Sequence, residues 1–188
     1  MEDISYESFS GETHTGEAFS FHTFSDCVFS NQTYTDCDFS SAVFTSCTFE
    51  TCTFISCRMP ECLIDGCSFT DSKLMGVTLE GARIRKSIFL RVNFSYSDLS
   101  SMRLQDVEIT SSSLEETGFT DVTHKRVRIH DTNLRRAVLT GTSLRDLSLT
   151  GSSLDGIFLS DSMKEVRGAE LDISQAVDIV KLLGVTVK

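Results

Sequence analysis

Residues 25–69 have the sequence SDCVF SNQTY TDCDF SSAVF TSCTF ETCTF ISCRM PECLI DGCSF when they are divided into blocks of five. Every block ends in an aromatic or large apolar residue, which we call the centre, and most blocks carry a cysteine two positions before it. A period of five matches neither the repeat of a helix nor that of a plain strand. It fits a chain that turns a corner after every block, because every centre then points toward one axis.

The five-residue frame extends from Ile4 to Leu159 without an insertion. Of its 32 centres, only His14 and His124 are neither apolar nor tyrosine, and 12 of the 14 phenylalanines are centres. Short fixed periods are typical of solenoids, in which each unit buries its apolar face only against its neighbours. The sequence therefore predicts a solenoid with a continuous apolar interior.

The blocks resemble the pentapeptide-repeat family, whose motif is small, Asp or Asn, Leu or Phe, polar, any. Residues 37–41 (CDFSS) and 97–101 (SDLSS) match this motif well, and the resemblance covers roughly residues 3–162. It implies an all-β fold, a right-handed quadrilateral β-helix with four blocks per coil and about eight coils. We expect this β-helix over residues 1–163 and a C-terminal segment over residues 164–188.

The seven cysteines all lie two positions before a centre, where the side chain also points into such a coil. We interpret them as small buried apolar fillers. Stacked cysteines leave a disulfide geometrically open, but the odd count and the absence of an export signal favour reduced thiols. No histidine accompanies them in a metal-ligand spacing, so we expect no metal and no cofactor. The seven are Cys27, Cys37, Cys47, Cys52, Cys57, Cys62 and Cys67.

Polar residues interrupt the apolar frame at two places. In the first coil Glu7, Glu12 and Glu17 occupy inward positions and His14 is a centre. Because burying unpaired carboxylates is costly, we expect an open, polar N-terminal end. The second interruption, His124, is interpreted as a hydrogen-bonded core histidine or a local bulge. A catalytic histidine would need a converging nucleophile or carboxylate, and we find none, so we predict no enzyme and no catalytic residue.

The net charge of −10 is unevenly distributed. Residues 1–57 contain nine Asp and Glu and no Lys or Arg, whereas residues 58–188 contain 17 basic and 18 acidic residues. An acidic surface disfavours binding to nucleic acid and favours a partner with a basic groove. The candidate acidic surface comprises Asp26, Asp36, Asp38, Glu50, Asp146, Asp155 and Asp161.

Basic residues recur at intervals of about twenty, which places them in one stack on a quadrilateral coil. They are either a solvated face, interleaved with Asp65, Asp106 and Asp146, or a docking surface for an acidic partner. We call this set the basic column. Its members are Arg83, Arg85, Lys86, Arg103, Lys125, Arg126 and Arg145.

The tail carries a different pattern. Asp172 and Gln175 have the spacing of a capping box, an apolar helical stripe follows, and Gly184 is typical of a helix end. Residues 185–187 have the character of a short strand. The helix can cover the end of the solenoid or pair with a second copy about a two-fold axis. The candidate dimer interface comprises Leu171, Ala176, Ile179, Val180, Leu183, Val185 and Val187.

The spacing of Leu171-Asp172, Gln175-Ala176 and Leu183-Gly184-Val185 resembles the C-terminus of the Qnr-type quinolone-resistance group. That resemblance implies a tail-to-tail homodimer that mimics duplex DNA, binds DNA gyrase or topoisomerase IV, and protects them from quinolones or toxins. Many Qnr proteins carry loops that interrupt the coils, and this frame has none, so the chain is nearer the loop-free members. The alternative is an interaction scaffold with an unrelated partner.

The N-terminus, Met1-Glu2-Asp3, is acidic and lacks a basic region followed by an apolar one. We therefore expect a cytoplasmic protein that neither enters a membrane nor binds nucleic acid directly.

Overall fold

A computed structural model describes residues 2–187, and it confirms the quadrilateral β-solenoid. The chain turns after every block of five, and each coil stacks on the preceding one with a register of twenty residues. Phe24, for example, pairs in parallel with Phe44, which pairs with Ile64. We number the four faces in the order in which the chain visits them.

Faces 1 and 2 are parallel sheets of seven strands each. The strands of face 1 are Asp3–Ser5, Thr23–Ser25, Val43–Thr45, Leu63–Asp65, Arg83–Arg85, Arg103–Gln105 and Thr123–Lys125. Those of face 2 are Ser8–Ser10, Val28–Ser30, Thr48–Glu50, Ser68–Thr70, Ile88–Leu90, Glu108–Thr110 and Arg128–His130.

Faces 3 and 4 are less regular. Face 3 begins as a sheet of four strands, Thr13–Thr15, Thr33–Thr35, Thr53–Ile55 and Lys73–Met75. It continues through isolated parallel bridges from Asn93 to Ser153. Face 4 is held entirely by such bridges, from Ala18 to Phe158. The twenty-residue register is nevertheless the same on all four faces.

The number of regular coils is slightly smaller than the predicted eight. The first and last strands of face 1 begin at Asp3 and Thr123, which at twenty residues per coil are six full turns apart. Beyond them the wrap continues through single bridges, such as Arg128 with Ser148. The stacking of regular coils ends where the Leu144 N–H donates to the carbonyl of Glu165. Glu165 belongs to the segment that closes the rod, and it occupies the place of a further coil.

The corners explain the polar positions of the repeat. Every fifth residue from Tyr6 to Gly156 has a positive φ. This corner residue lies between a centre and the inward residue of the next block. Glycine, aspartate and asparagine tolerate this left-handed conformation best, and they occupy many of these positions. Bulky residues with positive φ are uncommon, so Tyr6, Phe21 and Tyr96, which are exposed at corners, are unusual.

The centres form one continuous apolar column, as predicted. From Phe24 to Leu154 every centre is buried except the half-buried His124. In the N-terminal half the rings stack along the axis: the Phe49 ring lies 4.7 Å from that of Phe29 and 4.2 Å from that of Phe69, centroid to centroid. The interior is therefore a stack of rings that changes to aliphatic packing toward the C-terminal end.

The inward small residues have a hydrogen-bonding role that the sequence did not indicate. The Ser97 hydroxyl donates to the Leu74 carbonyl over 2.8 Å and accepts the Val77 N–H over 3.1 Å, which satisfies backbone groups buried at the corner below. Cysteine thiols donate a hydrogen bond in the same way, as the Cys62 thiol does to the Phe39 carbonyl. Serine, threonine and cysteine therefore recur at the inward position because each is small and can donate.

All seven cysteines are buried and unpaired, which confirms the prediction of reduced fillers. Burial raises the pKa of Cys57 to about 11 and that of Cys62 to about 12. These two side chains are therefore neutral thiols at neutral pH, and a buried neutral thiol is chemically inert.

The first coil is open and polar, as expected. Glu7, Glu12 and Glu17 are exposed, and the ring of His14 bonds to the Glu17 carboxylate over 3.0 Å. The half-buried Phe9 stacks on Phe29 with 5.0 Å between ring centroids, and no coil of the described residues 2–187 covers its other side.

The C-terminal end is covered by a short 3-10 helix, Lys164–Val166, and by the helix α1, Ile173–Leu182. The predicted capping box is present between Asp172 and Gln175. The strand predicted for residues 185–187 is not formed. A strand needs a neighbour with which to share backbone hydrogen bonds, and no strand within residues 2–187 pairs with this segment.

Candidate protein-interaction surfaces

The predicted acidic surface does not form a single patch. Its seven residues lie on or beside all four faces of the rod, since their positions in the twenty-residue coil differ. Asp26 and Asp146 share one corner column but are six coils apart. Asp36 and Glu50 lie on other sides of the same N-terminal coils as Asp26, and all three side chains are exposed. The remaining candidates, Asp155 and Asp161, lie near the C-terminal end and are exposed as well.

Asp38 has a structural role. Its carboxylate accepts the Ser40 N–H over 3.0 Å, the Ser40 hydroxyl, and the Ser20 hydroxyl over 2.8 Å. These hydrogen bonds, chiefly the one from the Ser40 side chain, lower the pKa of Asp38 below its usual value. The side chain therefore holds the corner between two coils together and is less available to a partner than the other acidic candidates.

The N-terminal end carries a ring of carboxylates. The four inward positions of the first coil are all glutamate: Glu2, Glu7, Glu12 and Glu17. All four are exposed at the open end, and Glu2 lies 3.8 Å from the ring of His22. Glu7, Glu12 and Glu17 were predicted to lie here. Extending the five-residue frame one block toward the N-terminus identifies the fourth.

Two exposed aromatic residues near this end were not predicted from the sequence. Tyr6 is 81% exposed and Phe21 is 60% exposed, and they occupy the two corners that bound face 1 in the first two coils. A signal for one of them was present, since Phe21 is one of two phenylalanines that are not centres. Large exposed aromatic side chains are typical of contact surfaces.

The basic column is brought together by the structure on face 1 and its adjoining corner. Arg83 and Arg103 are direct partners in the parallel register, and Lys125 lies in the next strand. These side chains border a surface groove of about 340 Å³, which is also lined by Leu104 and His124.

The members of the basic column differ in their ion pairs. Arg85 bonds to Asp65 over 2.6 Å and Arg126 bonds to Asp106, whereas Arg145 lies 3.8 Å from Asp146. Within residues 2–187, the following have no carboxylate within ion-pair distance: Arg83, Lys86, Arg103 and Lys125.

Ion pairs between coils keep several acidic residues ionised. The hydrogen bond from Arg126 lowers the pKa of Asp106 to about 2, and the hydrogen bond from Arg91 lowers the pKa of Asp71. Both pairs are exposed, so each contributes little to stability. They neutralise these carboxylates locally and leave the unpaired acidic residues of the first coils as the main source of negative potential.

The predicted dimer interface divides into two parts. Leu171 and Ile179 pack against the last coil and help to cover the core. The other five are exposed: Ala176, Val180, Leu183, Val185 and Val187. Two further exposed apolar residues lie near this end and were not predicted: Ile173, which is 86% exposed, and Phe158, which is 52% exposed. Neither follows the helical stripe or the five-residue frame, and Phe158 is the second phenylalanine that is not a centre.

The ring of His124 contacts the backbone of the next coil. Its Nε2 atom lies 2.6 Å from the carbonyl oxygen of Ser143, in agreement with a hydrogen-bonded core histidine. Within residues 2–187 no group of three or more His, Cys, Asp or Glu side chains is arranged to hold a metal ion. In the same range, no helix combines the length and apolar character needed to cross a bilayer.

Comparison with known proteins agrees with this fold. A model of the pentapeptide repeat region matches residues 42–119, and a model of pentapeptide repeats, with eight copies, matches residues 24–59 and 125–161. No curated protein sequence shows significant similarity to the chain.

Among solved structures, a trypsin-treated form of QnrB1, described as a plasmid-mediated fluoroquinolone resistance protein, matches with a TM-score of 0.58 at 18% identity. The match covers 96% of this chain and 100% of that one. HetL from the cyanobacterium Nostoc sp. strain PCC 7120, a pentapeptide-repeat protein, matches with a TM-score of 0.31 at 12% identity, over 82% of this chain and 87% of that one. The two family models, the five-residue corners and the shared fold show that the chain belongs to the pentapeptide-repeat family.

Proposed function

We propose that the protein binds a type II topoisomerase, DNA gyrase in particular, by presenting the acidic N-terminal coils of its rod to the surface that normally holds duplex DNA. By doing so it would modulate the enzyme and protect it from quinolones or gyrase toxins. The proposed partner is cytoplasmic, and the protein would act in that compartment. The observation that carries the proposal is the charge density of the N-terminal coils.

The N-terminal coils match duplex DNA in linear charge. Residues 1–57 carry nine carboxylates and no Lys or Arg. They form almost three coils, which at about 4.8 Å per stacked strand extend about 14 Å along the axis. That is about one carboxylate per 1.6 Å, compared with one phosphate charge per roughly 1.7 Å of duplex DNA.

The distribution of these charges supports the same function. The exposed acidic residues of the first coils lie on different sides of the rod, as Asp26, Asp36 and Glu50 do. Phosphates likewise surround a duplex on all sides. A basic channel shaped for DNA would therefore meet negative charge over most of the rod's circumference, and electrostatic steering would speed the encounter.

The likeness to QnrB1 supports the proposal at the level of the fold. The name of that protein describes resistance to fluoroquinolones, and its chain is covered over its whole length. The shared fold gives this chain a rod of the same architecture.

Neutralising three acidic residues of the N-terminal coils should weaken the effect on gyrase. In a supercoiling assay with purified gyrase, with and without a quinolone, the native protein should change the activity at micromolar concentration. The variant Asp26→Asn/Asp36→Asn/Glu50→Gln should need about tenfold more protein for the same effect, because three carboxylates facing a basic channel are removed. These residues are exposed and make no ion pair within residues 2–187, so the fold should persist.

The matched control is Glu61→Gln/Asp121→Asn/Asp131→Asn, which changes the net charge by the same amount on exposed residues beyond the acidic coils. We expect it to behave like the native protein. The proposal would be wrong if the native protein had no effect on gyrase, or if both variants lost the effect equally.

We further propose that two rods join through their C-terminal ends. The motivation is the exposed apolar surface of α1 and the residues after it, including Leu183, which is 64% exposed, and Val185. Residues 185–187 also have strand character without a strand neighbour, and a second copy about a two-fold axis would supply one. The acidic N-terminal coils would then lie at the two outer ends of a longer rod.

The double substitution Leu183→Glu/Val185→Glu should convert the dimer into a monomer, because it places charges in an apolar contact. Mass measured by light scattering after size-exclusion chromatography would show this change. The control Tyr96→Glu alters an exposed aromatic residue on the side of the rod and should leave the mass unchanged. A native protein that is monomeric at high micromolar concentration would contradict the dimer.

The second candidate function is an interaction scaffold with an unrelated partner. The unpaired part of the basic column favours it, because mimicry of DNA by the acidic coils does not account for a cluster of cations. A pull-down that recovers topoisomerase subunits would support the first function, and one that recovers a different protein through the basic column would support the second.

A further inference from the structure

We propose that face 1 binds an acidic segment of a protein partner through Arg83, Arg103 and Lys125, which we call the unpaired cations. This site goes beyond the proposed binding of gyrase, because it has the opposite charge and lies in different coils. It would give the rod two contact surfaces: an acidic end and a basic side.

Most other arginines on the rod stack above a carboxylate, whereas the unpaired cations do not. Where an arginine stacks above a carboxylate twenty residues earlier, the two usually form an ion pair across adjacent coils. Six pairs follow this rule: Arg85–Asp65, Arg91–Asp71, Arg126–Asp106, Arg128–Glu108, Arg135–Glu115 and Arg136–Glu116.

On face 1 the twenty-residue partners are different. The residue below Arg83 is Leu63, the residue below Arg103 is Arg83 itself, and the residue below Lys125 is Gln105. Two like charges directly opposite each other in a sheet repel, and this repulsion destabilises the pairing. An arrangement that opposes folding and breaks the local pattern is typical of a functional site.

The surroundings of the unpaired cations form a receptive surface. The groove beside them is lined by the edges of Leu104, Thr123 and His124. The hydrogen bond from His124 to Ser143 fixes the orientation of the ring at its base. The three cationic side chains are exposed at the sides of the groove, where they are free to close on a ligand.

The size of the patch favours a short acidic peptide segment. The patch spans two coil steps, about 10 Å along the axis. Side chains on one side of an extended peptide recur about every 6.6–6.8 Å, so two carboxylates fit within it. Each arginine fork matches a carboxylate geometrically, and the lysine adds a point charge.

A long polyanion fits the patch poorly. Asp65 lies in the strand below Arg83, and beyond it the rod is acidic as far as its N-terminal end. A nucleic acid strand running along the rod would therefore meet repulsion on leaving the three basic coils, and the net charge of −10 would oppose its approach.

The test uses the full-length protein and two fluorescent probes of equal length, an octapeptide of alternating glutamate and serine and an oligothymidylate of eight nucleotides. We expect the peptide to bind at low salt, with an affinity that falls as salt rises. The variant Arg83→Gln/Arg103→Gln/Lys125→Gln should bind the peptide about tenfold more weakly, since three exposed positive charges are lost.

The matched control is Arg91→Gln/Arg128→Gln/Arg136→Gln, which removes the same charge from arginines that are already ion-paired. It should bind the peptide within about twofold of the native protein. Thermal unfolding of the first variant should occur at the native temperature or above it, because a repulsion is relieved. This readout separates lost binding from lost folding.

Three results would overturn the proposal: no measurable binding of the peptide by the native protein, an equal loss in the control variant, or tighter binding of the oligonucleotide than of the peptide. None of these results bears on the acidic coils, so the gyrase assay succeeds or fails independently of this one.

Discussion

Replacing Phe49 by alanine is expected to lower the free energy of unfolding by about 3–5 kcal/mol. The Phe49 ring is fully buried and stacks between Phe29 and Phe69. It also meets Phe44 edge to face, with 5.6 Å between centroids. Both neighbouring coils keep their positions through backbone hydrogen bonds on all four faces, so they cannot collapse into the cavity that the substitution creates. The free energy of unfolding should therefore fall by the full cost of the cavity.

Urea unfolding followed by circular dichroism measures this loss, provided that the slope with denaturant stays the same for the two proteins. The matched control is Phe9→Ala, the centre of the same face in the first coil. Phe9 is half-buried and stacks on one ring only, so its removal should cost about half as much or less. Equal losses at the two positions would contradict a continuous core with one open end.

Replacing Gln175 by glutamate is expected to destabilise the C-terminal end by about 2–4 kcal/mol at neutral pH. The Gln175 amide is buried, and its Nε2 atom donates to the Leu149 carbonyl over 2.6 Å and to the Ser152 carbonyl over 2.9 Å. Its Oε1 atom accepts the Asp172 N–H over 3.0 Å, as part of the capping box. Glutamate preserves the capping contact but cannot donate to the two carbonyls when it is ionised.

The pH dependence of this variant distinguishes a charge effect from a change of shape. A carboxylate held against two carbonyl oxygens has a raised pKa in the folded state, because ionisation there is unfavourable. Its destabilising effect is therefore small below the unfolded pKa of about 4.3 and grows as the pH rises through and beyond it. Gln175→Ala loses the same hydrogen bonds without adding a charge, so its deficit relative to the native protein should not change with pH in this way.

Hydrogen exchange of the amides in α1 measures the result, since local opening of the helix precedes unfolding of the rod. Protection of these amides should fall in Gln175→Glu, and more at pH 7 than at pH 4. Unchanged protection would mean that the capping box alone holds the helix on the last coil.

Much of the fold was predictable from the spacing of residues. The five-residue frame identified the centres, the inward cysteines and the polar first coil, because each of these depends only on which way a side chain points in a repeating coil. The capping box of Asp172 and Gln175 was predictable as well, because it is a local hydrogen-bonding pattern along the chain.

The predictions that were incomplete or wrong concern contacts between distant residues. The number of regular coils was overestimated, because Glu165 takes the backbone donor of Leu144 that a further coil would have used. The strand at residues 185–187 is missing, because a strand depends on a neighbour. Ion pairs could be assigned only from the stacked coils. The structure shows that Arg85 pairs with Asp65, whereas Arg103 lies opposite Arg83.

The sequence by itself determined that this protein is a solenoid with one apolar axis, because a chain that turns after every five residues points all the centres toward that axis. It also determined that the negative charge is concentrated in the first 57 residues. Only the tertiary structure decided which charges are neutralised and which remain free. Stacking brings residues twenty apart into contact, so the partner of each side chain depends on the register between coils, which the order of residues alone does not display.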